Sequence, residues 1–167
     1  MIVAWSSVAI FLSTYAFERQ GASPNYAPVA VDAIKQYKEE FDKNSGGAEL
    51  ENLIWNRFKK IMESKKDDKK EGLNETHNPL WPSKEPSSLV KHMQENKMTN
   101  LVNGMKSYLQ KKELRNASVF LNSVRGIGPK VSAFFLRDVK EYFGIDLPKD
   151  IDRKYLQPID IWIKRIV

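Results

Sequence analysis

Apolar residues recur at helical spacing along most of the chain, and no stretch of useful length alternates in the way a strand does. Ala30, Ile34, Tyr37 and Phe41 repeat at i, i+4, i+7 and i+11. Leu50, Leu53, Ile54, Phe58 and Ile61 make a second stripe; Leu89, Val90 and Met93, then Leu101, Val102, Met105 and Leu109, make two shorter ones. Leu114, Ala117, Leu121 and Val124 form another, followed by Val131, Phe134, Phe135, Val139, Tyr142 and Phe143. The pattern predicts an all-α protein with one helical domain over residues 1–167. Residues 64–88 break it. They carry Lys65-Lys66-Asp67-Asp68-Lys69-Lys70-Glu71 and then Pro79, Pro82 and Pro86, a composition that predicts an exposed connector.

Residues 1–17 carry no charge and hold 13 apolar side chains. A membrane span asks for about 20 apolar residues. Four of these positions are Ser or Thr, and no positive n-region precedes the stretch. A buried core helix is the expectation, ending near Gly21, and no membrane association is expected. Trp5, Phe11, Tyr15, Phe134, Phe135 and Phe143 fall on apolar stripes and read as core; Trp55, Trp81 and Trp162 have no assigned place.

Charge changes the picture by its distribution. The net charge is +6, yet residues 1–100 hold 14 Lys/Arg against 14 Asp/Glu, whereas residues 101–167 hold 13 against 7. The whole excess lies in the C-terminal part, which suggests a polyanionic partner. The absence of cysteine removes disulfides, thiolate catalysis and cysteine-held zinc or iron–sulfur centres. His77 and His92 lie far apart without ligand-spaced acidic neighbours, and Asp146, Asp150 and Asp152 read as turn and cap residues. No metal and no cofactor is expected.

Between the last two stripes stands Ser123-Val124-Arg125-Gly126-Ile127-Gly128-Pro129-Lys130. Two glycines permit positive φ and close backbone approach, and Pro129 suits the first position of a helix. A helix, hairpin, helix unit over residues 114–143 follows, and the N–H groups at such a helix start make an anion site. Thirty residues after Lys130, Gln157-Pro158-Ile159-Asp160-Ile161-Trp162-Ile163-Lys164-Arg165 places a carboxylate at the head of an apolar segment.

The hairpin, its lysine and the downstream Pro-x-Asp resemble the signature of the helix-hairpin-helix base-excision DNA glycosylase superfamily, over about residues 114–167. The interval from Lys130 to Asp160, lengthened by residues 144–154, is more similar to the archaeal 8-oxoguanine glycosylase group. The lack of cysteine sets aside the cluster-bearing members. Relatives continue through further helices, whereas this chain ends seven residues after Asp160. The resemblance therefore implies a fragment or a reduced version.

What the resemblance implies is a bifunctional glycosylase and AP lyase of DNA repair. Lys130 is the nucleophile at the sugar C1′ and Asp160 the carboxylate that stabilises charge developing on the sugar. Arg125 and the amides of Gly126, Gly128 and Lys130 hold a DNA phosphate. The partner is double-stranded DNA with a damaged base such as an oxidised purine; the protein acts as a monomer in the cytoplasm or nucleoid. An amine attacks only when neutral, so the chemistry asks for burial of the lysine near other cations such as Arg125. The same hairpin also reads as a non-catalytic DNA-backbone clamp, and the chain as a structural or membrane-associated helical protein.

Overall fold

The computed structural model describes residues 4–17, 23–43, 47–65, 77–148 and 153–158. It is all-α: α1 (Ala4–Phe11), α2 (Tyr26–Lys35), α3 (Lys38–Asp42), α4 (Gly47–Ser64), α5 (Leu89–Glu95), α6 (Leu101–Gln110), α7 (Leu114–Asn122) and α8 (Pro129–Tyr142). α1 runs on into a π-helical turn, Leu12–Ala16, and a 3₁₀ turn covers Arg153–Leu156. No strand forms among the described residues; one isolated parallel bridge joins Ser87 to Val124.

Over residues 4–17 the N-terminal apolar stretch is a core helix. Val8, Phe11 and Leu12 are fully buried, and α1 packs on α2, α3 and α6. Among the described residues no helix is long and apolar enough to cross a membrane. Ser7 explains how a hydroxyl is tolerated there: its Oγ donates to the Ala4 carbonyl at 2.7 Å and accepts from the Leu101 N–H at 3.0 Å, so it also caps the start of α6. Ile10, by contrast, is 41% exposed.

α4 lies along α2 and carries α5, while α6, α7 and α8 pack on one another. One apolar cluster runs through all of these helices except α3's exposed face, with Phe11, Phe58 and Phe135 among its largest fully buried side chains. The stripe Ala30 to Phe41 is not one helix. The chain leaves helical geometry at Tyr37 (φ −111°, ψ 29°) and restarts with Glu39 and Glu40 in the first turn of α3, where their charge favours a helix N-terminus. Leu53 and Tyr142 also depart from their stripes and stand exposed.

The exposed connector needs correcting over its described part. Residues 66–76 lie outside the described residues, but Asn78, Pro79, Leu80 and Ser88 are buried. Asn78 closes the turn through its Oδ1 and carbonyl, which accept from the Leu80 and Trp81 N–H groups at 2.9 and 3.1 Å. The Pro79 carbonyl then accepts from Leu89 N–H at 2.8 Å, at the head of α5. Prolines here fix a shaped segment under which apolar side chains are buried, and composition alone does not separate that from a solvated loop.

Candidate nucleic-acid interface at the turn between α7 and α8

α7 and α8 meet through a short polar ladder. Ser132 Oγ, fully buried, donates to Asn122 Oδ1 at 2.7 Å, and Asn122 Nδ2 donates to Ser118 Oγ at 3.2 Å. These bonds fix the end of the first helix against the start of the second. Val124 and Ile127 anchor the intervening turn in the core, and the Ile127 N–H closes it on the Val124 carbonyl at 3.1 Å.

The two glycines do different things. Gly126 has φ +72°, and a Cβ there would overlap the His77 carbonyl oxygen and lie 2.8 Å from its carbon. It is glycine for an internal reason: the backbone of His77 lies directly against it. Gly128 is extended (φ −107°, ψ 175°), and a Cβ added to it would meet nothing within 4 Å. Its backbone faces open space at the head of α8. That helix has Pro129 in its first turn, no side-chain cap and no acidic residue in the first turn, so no carboxylate of its own offsets the positive end of its dipole.

Lys130, the second residue of α8, is exposed rather than buried. The burial that the sequence argument asked for is not provided by its position on the helix. Arg125, the cation that the sequence argument paired with it, is engaged with segment 77–88. Its Nε donates to Ser83 Oγ at 2.9 Å, its Nη2 to the Glu85 carbonyl at 3.2 Å, and its guanidinium lies 4.6 Å from the centre of the Trp81 ring. The Arg125 N–H adds a bond to the Ser87 carbonyl at 2.9 Å. Arg125 therefore clasps segment 77–88 to the turn, and Trp81 is its stacking partner. Asp160 lies outside the described residues, as do Asp150, Asp152 and Trp162.

No family model matches the chain, and neither a curated protein nor a solved structure matches it significantly.

Sequence reasoning missed the clasp. The signal was Trp81 among prolines together with an arginine inside the turn, but nothing in the spacing joins residues 42 or 44 positions apart. It also missed a half-buried polar pair. Tyr15, on the π-helical turn, donates its hydroxyl to Asp138 Oδ2 of α8 at 2.9 Å. Burial, aided by that carboxylate, pushes the Tyr15 hydroxyl up to about 12, so it stays a donor at neutral pH.

Proposed function

We propose that the chain acts on duplex DNA as a base-excision glycosylase with lyase activity, seating the turn between α7 and α8 on the phosphate backbone. The observation that carries this reading is Gly128. Its open, extended backbone heads an uncapped 14-residue helix, which leaves room for a phosphate to approach the amides at the helix start. Lys130 projects from the same turn of helix. In the proposed reaction its neutral amine forms a bond to C1′ while the glycosidic bond breaks and the base departs with a proton. The aminal then opens, the C1′–O4′ bond breaking as O4′ takes the amine proton, and the Schiff base so formed loses a proton from C2′ as the 3′ phosphate leaves. Asp160 is the proposed electrostatic partner of the sugar.

Exposure of Lys130 favours a second reading, in which the same turn is a non-catalytic backbone clamp and Lys130 contacts a phosphate. Borohydride trapping separates the two. With a duplex bearing an oxidised purine or an abasic site, the lyase yields a covalent protein–DNA adduct that Lys130→Gln abolishes while DNA binding persists. The clamp yields no adduct in either protein, and Lys130→Gln weakens binding. An adduct that persists undiminished in Lys130→Gln removes Lys130 as the nucleophile.

A further inference from the structure

A cavity of about 400 Å³ opens between the α1 π-helical turn, α6 and the C-terminal half of α8. Its volume lies within the range of small-molecule sites, roughly 300–1,000 Å³. Tyr15, Phe135, Tyr142 and Phe143 give it aromatic walls, with Val102 among the aliphatic ones. The remaining polar wall is Asp138 with the Tyr15 hydroxyl. Tyr142 stands at the rim, 75% exposed, and its ring meets Phe143 edge-on at 4.9 Å between centres. A π-helical turn is rare and recurs at functional sites. Here it carries the tyrosine that holds the carboxylate.

The hydrogen bonds define what that polar edge offers. Asp138 Oδ1 accepts from Arg137 Nε at 3.1 Å, and Arg137 Nη2 lies 3.1 Å from the same oxygen as an ion pair. Among the described residues Oδ2 accepts from Tyr15 alone, which leaves one lone-pair site there. The Tyr15 hydroxyl has spent its proton on Asp138 and can only accept. Both groups facing the cavity are thus acceptors. A ligand with an N–H finds its acceptor there.

We propose that this cavity binds a planar aromatic ring system carrying an N–H donor, stacked among Tyr15, Phe135, Tyr142 and Phe143 with its donor on Asp138. The site is independent of the DNA reading: Asp138 is eight residues beyond Lys130, about 12 Å along the helix axis at 1.5 Å per residue.

The test uses indole and 1-methylindole, which differ in the single N–H, titrated into the isotope-labelled full chain and followed by NMR. Indole should shift resonances of Tyr15, Val102, Phe135, Val139 and Phe143. It should bind about three- to tenfold more tightly than 1-methylindole, the share of one net hydrogen bond. Asp138→Asn should narrow that difference. Tyr142→Ala removes only an exposed side chain, so the fold is kept; it should weaken both ligands. Equal affinity of the two probes for the wild type overturns the donor edge, and no shift at these residues with excess indole overturns the site. If Asp138→Asn proves unfolded, Tyr15→Phe, which keeps the ring and frees the Oδ2 lone pair that the hydroxyl occupies, must keep or raise the preference for indole; a reduced preference overturns Asp138 as the acceptor.

Discussion

Arg125 stacks its guanidinium over the Trp81 ring, 4.6 Å from the ring centre, and so ties the turn between α7 and α8 to the proline-rich segment before α5. Two side-chain hydrogen bonds to Ser83 and Glu85 add to this contact. Arginine is suited to the task because its planar fork stacks and donates at once, which an ammonium does not do. Arg125→Ala should therefore destabilise the protein by about 1–3 kcal/mol, with Arg125→Lys recovering little of the loss. Denaturant unfolding measures this. A double-mutant cycle with Trp81→Ala should return a coupling of about 0.5–1 kcal/mol. Unchanged stability in Arg125→Ala with a reduced salt dependence of DNA binding would instead make Arg125 a phosphate ligand.

The two neighbouring residues Ile10 and Phe11 should respond oppositely to substitution. Phe11 is fully buried and meets Phe135 edge-on at 4.8 Å, so Phe11→Ala should cost about 3–5 kcal/mol. Ile10 is 41% exposed, and Ile10→Asp should cost no more than about 1 kcal/mol because its carboxylate remains solvated. Thermal or urea unfolding of both variants decides it. Comparable losses would mean that Ile10 is covered in solution.

Helix identity and most of the core were legible because the 3.6-residue period is a local signal, and burial follows it at Leu50, Ile54 and Phe58 or at Leu101, Met105 and Leu109. The period does not say where a helix restarts, as at Tyr37, nor which end of a stripe reaches solvent, as at Tyr142. The glycine turn was legible as a turn. The separate reasons for its glycines were not, since Gly126 answers to the backbone of His77, 49 residues earlier, and Gly128 to open space. Arg125 illustrates the limit: nothing in its local sequence shows that its Nε and Nη2 bond to Ser83 and Glu85, 42 and 40 residues away.

Glu51 gives the stability a pH dependence of definite sign. It is buried in α4 and accepts from the Ser88 hydroxyl, which in turn accepts from the Lys91 N–H as the cap of α5. Burial raises the Glu51 carboxyl above the usual carboxylate range, outweighing the opposing effects of Ser88 and Lys91. The folded chain thus holds this proton more tightly than the unfolded one. The associated stability is fully present below the unfolded value and is lost as pH rises through the folded one. Glu51→Gln has no proton to lose and still accepts from Ser88. Its stability relative to the wild type should improve between about pH 4 and pH 7, read from urea midpoints at the two pH values. A difference that stays flat, or falls, contradicts a raised carboxyl.

Gly126 and Gly128 allow the fold and the proposed interface to be tested apart, although they sit two residues from each other. Gly126→Ala forces a β-carbon into left-handed backbone and against the His77 carbonyl, so stability should fall by at least about 2 kcal/mol. Gly128→Ala adds a methyl group to ordinary extended backbone with nothing within 4 Å. Its cost should stay within about 1 kcal/mol, the usual difference between glycine and alanine at a helix N-cap. That methyl group nonetheless stands where a phosphate must approach. If the turn grips DNA, Gly128→Ala should weaken binding of a labelled duplex about tenfold at fixed salt, by impairing one charge-assisted hydrogen bond. Anisotropy titrations alongside unfolding curves give both quantities on the same protein. A stable Gly128→Ala variant that binds duplex as the wild type does removes the turn from the interface, and with it the lyase and clamp readings together.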